Sequence, residues 1–501
     1  MLVIPPNNLM LRHGNRQVKM ARLGGARTNR IENCIMRAKP AAETVQSASS
    51  GDDYQSWLTR EPSFVTTGGG LDSDVAALKQ FSDAGDGLLQ LSTGGKGLDH
   101  KNLDLTRLIK DKIHDVRAAF LRVHAEAVYS SLTDTFAQPV RIQSLVDTAV
   151  RRYPGLLPSA SKITEDATRS LKEKEGHERA IGLLLSHIFA NPRAGIHLLQ
   201  SMLRPLPDSV EETAKFSRDG VLDLGAAVLR RTGKAAELLM YNPEYLNAED
   251  ASTIGPMEQA VDVAILDPIT EVCVLRGTPA QHPRYAGRNI FCSGLNLTHL
   301  YEGKIPYLWY LTRDLGFVNK IAHGLLDDPD AIDDPMPTVE KPWIAAVETF
   351  AIGGGCQYLL VMDYTLAEKS AYLTLPARKE GIIPGLTNMR LPRFVGDRIT
   401  RQAILFDRRL EADSPEGRMI VDQIVPDGEM SSAVEATVQK LTSSGSVSTV
   451  GNRKALRVCQ ESLDDVRRYM ASYAREQVKC HLSPALVRNL EDNWLKPKGK
   501  L

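Results

Sequence analysis

The sequence predicts an α/β core placed between two helical regions. Short apolar runs in the middle of the chain, such as Glu271–Arg276 and Trp343–Val347, alternate with helical segments, which is the signature of parallel β/α units. After about residue 396 the pattern becomes helical. From about residue 100 to 215, apolar residues recur at the three- and four-residue steps of amphipathic helices, as in Leu105, Leu108, Ile109, Ile113, Val116, Phe120 and Val123.

At 501 residues the chain is long enough for two or three structural units. We predict a disordered or loose extension and linker over residues 1–97, a helical domain over 98–232, the α/β core over 233–395 and a helical region over 396–501. The first 50 residues carry eight Lys/Arg and two Asp/Glu with little periodicity, which favours disorder. An organelle-targeting segment is the alternative. Gly-rich turns at Thr66–Gly70 and Gly94–Gly97 indicate a loose linker with short helices.

Charge and cysteine usage narrow the class of partner. The 61 basic and 61 acidic residues balance to zero net charge, so no nucleic-acid partner is indicated. No apolar run reaches the roughly 18 residues that a membrane helix needs, so no membrane partner is expected. The six cysteines are dispersed, and several lie in apolar segments, which suits reduced thiols in a cytoplasmic protein.

Two glycine-containing turns are the strongest chemical signal in the chain. Gly353-Gly354-Gly355 stands between the apolar runs Trp343–Val347 and Leu359–Met362 and reads as a turn that opens a helix. Without Cβ atoms, the backbone N–H groups of such a turn are open to an anionic ligand. A related small-residue turn lies upstream, in Phe291–Leu297. Two such turns can aim two amides at one oxygen, and this arrangement stabilises an enolate or a tetrahedral oxyanion.

These segments resemble the crotonase (enoyl-CoA hydratase/isomerase) superfamily. Three motifs stand in that family's order: Lys341–Val347, Phe350–Cys356 and Gly381–Gly385. The resemblance covers roughly residues 235–430 and implies a crotonase-type ββα spiral core. It also implies that the N–H groups of Leu295 and Gly354 form the oxyanion hole. By resemblance alone, we expect a homo-oligomer, either a trimer or a hexamer, that binds an acyl-CoA substrate.

The residues of the core do not suit a hydratase. Members of the family that add water carry two glutamates, at the positions that here hold Gln357 and Ala377. An amide and a methyl group cannot exchange protons at neutral pH, so the acid and base of hydration are absent. Several longer stretches instead resemble the branch of cofactor-independent 3,5-dihydroxyphenylacetyl-CoA 1,2-dioxygenases, namely Asn242–Asp250, His282–Arg288, Leu375–Gly385 and Asn388–Leu391.

This branch implies an oxidoreductase in which a thioester enolate reacts directly with dioxygen. The resemblance implies that Glu249 accepts a hydrogen bond from one phenol of the substrate, and that Arg313 and Gln357 hold the other hydroxyl or a bound oxygen species. Other interpretations stay open: Glu249 as a helix cap near Asp250, Arg313 as a solvated charge, and Gln357 as a backbone partner. One segment departs from the branch, because Ala235–Met240 looks helical where a strand is expected.

The resemblance also implies where coenzyme A and dioxygen bind. The family binds adenine along the segment after the first oxyanion turn, here through the backbone of Asn296 and Leu297. Candidate phosphate ligands nearby are Arg284, Arg288 and Lys304. Apolar side chains that could form a dry pocket for dioxygen are Leu295, Ile382 and Ile352, although buried aliphatic residues usually belong only to the core.

No cofactor is expected beyond the two substrates. The histidines show no H-x-H or H-E-x-x-H spacing and the cysteines no C-x-x-C, so no metal site is indicated. No G-x-G-x-x-G follows a strand, so neither a flavin nor a nicotinamide is supported. Two other hypotheses remain: a thioester hydrolase or isomerase that uses a carboxylate from Glu249 or Glu380, and a catalytically silent scaffold that keeps the fold.

Overall fold

The computed structural model of the chain describes residues 50–65, 70–93, 100–285, 287–326 and 337–495. Its central feature is a seven-stranded sheet. In their order across the sheet, the strands are β1 (Val221–Asp223), β2 (Ala227–Thr232), β3 (Ala235–Met240), β4 (Val272–Arg276), β9 (Trp343–Val347), β11 (Tyr364–Glu368) and β14 (Gln423–Val425). From β3 onward neighbouring strands are parallel, whereas β1, β2 and β3 are joined as an antiparallel meander.

The predicted core strands are confirmed in type and place. All five residues of β9 are buried, and so are four of the five residues of β4. Continuous apolar runs of this kind are typical of parallel strands that are covered on both faces. Three smaller sheets contain the other strands. Two are antiparallel pairs: β5 (Thr278–Pro279) with β6 (Asn289–Ile290), and β7 (Leu325–Leu326) with β8 (Thr338–Val339). The third consists of β10 (Phe350–Ile352), β12 (Tyr372–Thr374) and β13 (Leu410–Glu411), in which β12 is parallel to β10 and antiparallel to β13.

The prediction of a helix at Ala235–Met240 is wrong, because this segment is strand β3. It pairs with β2 on one side and with β4 on the other, and four of its six residues are buried. Ala, Leu, Glu and Met favour helices in isolation, but propensity is a weak prior that tertiary context overrides. All six residues pair with β2 and the first five also pair with β4, and this pairing fixes the chain that leads to Glu249.

Helices before the sheet form most of one large hydrophobic cluster. Of the apolar residues at helical spacing, Leu105, Ile109, Ile113, Val116 and Phe120 are buried, whereas Val123 is half-buried and Leu108 is 41% exposed. The helices are α1 (Ser50–Leu58), α2 (Leu71–Thr93), α3 (His100–Leu132), α4 (Ile142–Arg152), α5 (Ala160–Ala167), α6 (Glu178–Ala190), α7 (Pro192–Leu203) and α8 (Ser209–Asp219).

Helices within and after the sheet complete the architecture. A π-helical turn over Asp314–Val318 joins two of them. The helices are α9 (Ile254–Leu266), α10 (Leu297–Tyr301), α11 (Tyr307–Arg313), α12 (Asn319–His323), α13 (Gly354–Leu359), α14 (Ala377–Glu380), α15 (Thr387–Phe406), α16 (Met430–Thr442), α17 (Val447–Gln460), α18 (Leu463–His481) and α19 (Pro484–Leu490). The prediction of an α/β core with helical regions on either side is confirmed.

The two helical regions pack against each other. Gly182 of α6 lies so close to α18 that a Cβ atom there would stand 2.6 Å from a methyl carbon of Val478. Residues of α11 share the same hydrophobic cluster, and the backbone N–H of Tyr307 donates to Glu178 at 2.6 Å. Both helical regions therefore contact the helix that carries Arg313.

Three of the predicted segment limits need correction. Helix α2 lies within residues 1–97, the range predicted to be loose, and it packs against α3. Strands β1 and β2 precede residue 233, and β13 and β14 follow residue 395, so the sheets extend beyond the predicted core. The predicted disordered extension and the segment proposed as a targeting alternative lie outside the described residues. So do most of the linker turns Thr66–Gly70 and Gly94–Gly97. Within the described ranges, no helix has the length and apolar character of a membrane span.

Candidate active site

The two glycine turns predicted from the sequence lie side by side in the fold. The backbone N–H of Ile352 donates to the carbonyl of Cys292 at 3.0 Å, which holds the two loops together. Gly294 has a φ of +83°, and a Cβ atom there would stand 2.8 Å from the carbonyl oxygen of Ile352 and 3.2 Å from the nitrogen of Gly354. Only glycine permits both that backbone conformation and that close approach.

The amides of Leu295 and Gly354 remain free at this junction. A short parallel bridge flanks Leu295: the N–H of Glu249 donates to Gly294 at 2.7 Å, and the N–H of Asn296 donates to Glu249 at 2.8 Å. Gly354 is the first residue of α13, where backbone N–H groups have no partner in the helix. Neither amide has an acceptor in the described part of the chain. The structure thus brings together two unpaired donors of the kind that an oxyanion hole needs.

A small cavity of about 30 Å³ opens beside these two amides. A volume of this size is comparable to that of one or two water molecules, so a larger ligand requires the lining side chains to shift. The cavity is lined by Glu249, Leu295, Trp309, Tyr310, Arg313, Asp314, Gly353, Gly354, Gln357, Glu380, Ile382, Ile383, Pro384, Gly385 and Tyr473. Six of the eight predicted site residues lie here.

Glu249 and Arg313 form a buried ion pair at the wall of the cavity. Nε of Arg313 donates to Oε1 of Glu249 at 2.6 Å, and both side chains are at most 3% exposed. The hydroxyl of Tyr358 donates to the same Oε1 atom. Oε2 of Glu249 is also buried but has no partner among the described residues. A buried carboxylate oxygen without a donor is costly, so this atom is a ready acceptor for a ligand hydroxyl.

The guanidinium of Arg313 is committed largely to the protein. Besides Glu249, its Nη1 atom donates to Asp314 and to Oε1 of Gln357, both at 2.8 Å, and its Nη2 atom donates to the carbonyl of Gly354 at 3.1 Å. Four of its five N–H groups are therefore used. The interpretation of Arg313 as a solvated charge is wrong, because the residue is buried. Its guanidinium has one N–H left for the predicted contact with substrate. Nε2 of Gln357 has no acceptor within the described residues and is the freer donor.

Not every predicted ligand residue reaches the cavity. Ile352 packs in a separate apolar cluster with Phe350 and Tyr372, so the prediction that it lines a dioxygen pocket is wrong. Asn296 and Leu297 follow the first turn directly, at the start of α10, where the side chain of Asn296 caps the helix.

The candidate phosphate ligands differ in their commitments. Arg288 donates to the carboxylate of Glu368 at 3.1 Å and so is already paired within the protein. Lys304 forms an ion pair with Glu302 at 2.7 Å at the surface. The guanidinium of Arg284 lies 5.4 Å from the ring centre of Tyr285. Arg284 and Lys304 are exposed, and an anion would compete with Glu302 for Lys304 and with Glu368 for Arg288.

Several residues that line the cavity or contact its lining residues are not predicted from the sequence. Tyr358 lies four residues after Gly354, so one turn of helix returns its ring to the same face. This spacing was a signal that could have found it. Asp314 follows Arg313 directly, but the π-helical turn that begins at Asp314, after the end of α11, has no recognisable pattern in the sequence. The aromatic side chains of α11 and α18 that close the cavity come together only in the fold: Trp309, Tyr310 and Tyr473.

Within the described ranges, no group of three or more His, Cys, Asp or Glu side chains is arranged to hold a metal ion. A sequence profile described as enoyl-CoA hydratase/isomerase matches residues 231–472. The (3,5-dihydroxyphenyl)acetyl-CoA 1,2-dioxygenase of Amycolatopsis orientalis is 43% identical over 368 residues, which cover 73% of this chain and 83% of that protein.

Other relatives match a shorter part of the chain. The short-chain-enoyl-CoA hydratase of Clostridium acetobutylicum is 24% identical over 236 residues, which cover 47% of this chain and 82% of that protein. A solved enoyl-CoA hydratase from Mycobacterium avium subsp. paratuberculosis superposes with a TM-score of 0.44 at 21% identity, over 54% of this chain and 98% of that one. The similarity to the dioxygenase therefore includes residues that the similarity to the hydratase does not cover.

Proposed function

The chain belongs to the enoyl-CoA hydratase/isomerase (crotonase) family, and on this basis we propose that it is a cofactor-independent dioxygenase. The proposed reaction converts 3,5-dihydroxyphenylacetyl-CoA and dioxygen to 3,5-dihydroxyphenylglyoxylate and coenzyme A. The observation that carries the proposal is the pair of free amides at Leu295 and Gly354, set beside a cavity that Gln357 lines. The two positions that hold the acid and base of a hydratase are here Gln357 and Ala377. The 43% identity to a dioxygenase supports the same conclusion.

The first step is loss of a proton from the carbon between the thioester and the aryl ring. The thioester oxygen accepts hydrogen bonds from the N–H groups of Leu295 and Gly354, so the negative charge of the enolate develops where two fixed donors already point. Losing one donor of this type typically costs about 3 kcal/mol or more of transition-state stabilisation. Formation of the enolate is thus the step that the backbone of this site favours most.

Dioxygen then takes an electron from the enolate and recombines at the α-carbon as a peroxide. The terminal peroxide oxygen attacks the thioester carbonyl and expels the thiolate of coenzyme A. Loss of the second α-proton accompanies cleavage of the O–O bond, which leaves one oxygen atom in the new ketone and one in the carboxylate. The substrate supplies all the electrons, so the proposed reaction needs no metal, flavin or nicotinamide.

The polar groups of the cavity suit a dihydroxyphenyl ring. Oε2 of Glu249 is a buried acceptor without a donor among the described residues, as a phenol hydroxyl requires. Nε2 of Gln357 is an available donor for the second hydroxyl or for a reduced oxygen species. Side chains of Leu295 and Ile382 lie on the same cavity and provide its apolar wall.

The deciding experiment measures dioxygen consumption with 3,5-dihydroxyphenylacetyl-CoA, using chelator-treated protein and following free thiol in parallel. We expect one dioxygen consumed for each thiol released. Release of thiol without dioxygen uptake would instead make the protein a thioester hydrolase on the same site. No reaction with a folded protein that still binds acyl-CoA would contradict the proposal, and failure to bind any acyl-CoA would favour a silent scaffold.

The homo-oligomer implied by the family resemblance belongs to the proposal as well. Light scattering coupled to size exclusion chromatography measures it directly. We expect the mass of a trimer or a hexamer, and a monomer at working concentration would contradict this part.

We predict that Gln357→Ala slows turnover by about 10-fold, because a hydrogen bond of ordinary strength is lost while both backbone donors remain. The measurement is kcat for dioxygen uptake. Gln357→Glu serves as the comparison, since it keeps an acceptor for Arg313 but removes the Nε2 donor. A loss as large as that caused by a substitution at Gly354 would mean that Gln357 has a more central role than proposed here.

A further inference from the structure

One carboxylate at the cavity has no role in the proposal so far. Glu380 is the last residue of α14, and its side chain lines the same cavity as Leu295 and Gly354. A Cβ atom built on Gly353 would stand 4.0 Å from Oε1 of Glu380. The carboxylate therefore lies beside the peptide unit whose nitrogen, that of Gly354, is a proposed oxyanion donor.

Pairing of β10 with β12 fixes this position. Ile352 is in register with Thr374, and the N–H of Gly353 donates to the carbonyl of Thr374 at 2.9 Å. Helix α14 begins three residues after Thr374. The glycine turn and α14 are thus held together by backbone hydrogen bonds, which makes the placement of Glu380 a property of the fold.

Glu380 differs from the other carboxylates of the cavity in its partners. Glu249 and Asp314 each accept a hydrogen bond from Arg313, at 2.6 and 2.8 Å. The carboxylate of Glu380 has no hydrogen-bond donor and no cation paired with it in the part of the chain that the structure describes. A carboxylate held by a guanidinium is a weaker base, because the cation stabilises its charged form. Among these three carboxylates, Glu380 is accordingly the one with neither oxygen held by a donor in the described part of the chain.

Its electrostatic surroundings point the same way. Burial, together with the nearby carboxylate of Asp407, raises the pKa of Glu380 to about 7. A base with a pKa near the working pH is efficient, since about half of it is deprotonated and it still binds a proton readily.

We propose that Glu380 is the general base that removes the α-proton of the thioester. This inference rests on the proposed function. In the step, the Cα–H bond breaks, its electron pair passes into the enolate held by Leu295 and Gly354, and the proton moves to a carboxylate oxygen of Glu380. When the thiolate of coenzyme A leaves, it takes that proton from Glu380. The second α-proton, lost during O–O cleavage, then moves from the α-carbon to Glu380 and from there to water.

Asp314 is the competing candidate. Its Oδ2 atom is buried without a partner among the described residues, and burial raises its pKa. Its other oxygen accepts from Arg313, and a Cβ atom at Gly385 would stand 2.7 Å from Oδ2. This free oxygen therefore faces the Gly385 turn, whereas Oε1 of Glu380 lies beside the glycine turn that binds the oxyanion.

The test measures exchange of the substrate α-hydrogens with deuterated water under strict exclusion of dioxygen, by mass spectrometry of the recovered thioester. The wild-type protein is expected to exchange them. Glu380→Gln is expected to lose about 100-fold or more of that rate, the usual contribution of a general base. Asp314→Asn is expected to retain more of the rate than Glu380→Gln, and Glu435→Gln, on the surface of α16, controls for substitution as such.

The outcomes separate this inference from the proposed function. Wild-type exchange without dioxygen uptake in air would contradict the dioxygenase and leave the role of Glu380 to be judged on exchange alone. Exchange at the wild-type rate in folded Glu380→Gln would overturn the inference, as would a larger loss in Asp314→Asn. If Glu380→Gln does not fold, Glu380→Ala with added formate decides: we expect formate to restore exchange, and exchange that is independent of formate overturns the inference.

Discussion

Gly354→Ala is expected to lower turnover by about 1000-fold, the largest effect that a single methyl group can have in this site. The added Cβ atom would stand 1.8 Å from Oε2 of Glu249 and 3.0 Å from Nη2 of Arg313. Both side chains are buried and paired with each other, so neither can move aside at low cost. The glycine turn must shift instead, and the N–H of residue 354 then no longer points at the thioester oxygen.

This prediction has a matched control on another helix. Gly255→Ala in α9 adds the same methyl group where no heavy atom lies within 4 Å of the new Cβ. We expect it to keep wild-type turnover in the coupled dioxygen and thiol assay. Near-normal activity of folded Gly354→Ala would show that this turn is not part of the reaction site.

Arg313→Met is expected to destabilise the protein by about 3–5 kcal/mol and to remove activity, because it leaves Glu249 buried without its cation. A loss of that size is a large share of the 5–15 kcal/mol that stabilises a typical domain. The measurement is the midpoint of urea unfolding. The double variant Glu249→Gln with Arg313→Met removes both charges, so we expect it to recover part of the stability but none of the activity.

An exposed ion pair provides the control for this comparison. Arg401 and Asp397 pair at 2.8 Å on α15, with side chains that are 57% and 63% exposed. Arg401→Met is expected to cost less than about 1 kcal/mol, since solvent screens such pairs. If Arg313→Met costs no more than Arg401→Met, the buried pair is not a structural support of the site. Additive effects in the double variant would show that Glu249 and Arg313 are not coupled.

Local sequence patterns predict some elements of this fold correctly and others wrongly. The strand Trp343–Val347 and the turn Gly353–Gly355 were identified because local apolar content and consecutive glycines are properties of short segments. The composition of Ala235–Met240 favours a helix, but the segment is a strand because it pairs with β2 and β4. Local composition does not reveal such pairing between strands. Leu108 fits the helical spacing of apolar residues but faces solvent. The spacing predicts which side of α3 is buried, whereas the elements that pack against α3 decide how much of that side is covered.

The same distinction applies to the candidate site. The family resemblance predicts Leu295, Gly354, Gln357, Glu249 and Arg313 as individual site residues, but not how they contact each other. Their partners are not local: Tyr358 donates to Glu249 from 109 residues away, and Arg313 reaches Gln357 over 44 residues. Ile352 belongs to a motif of the family yet points into another cluster, since alternate residues of a strand face opposite sides of a sheet.

By itself, the sequence determined the family, the α/β core between helical regions and the two turns that expose backbone amides. These depend on residue types at short spacing, where the conformational preferences of glycine and of apolar runs act directly. Only the tertiary structure decided that Arg313 serves mainly to hold Glu249, Asp314 and Gln357, and that Glu380 stands unpaired beside the glycine turn. Burial and pairing set the charge state of a carboxylate, and both arise from contacts between segments that are far apart in the chain.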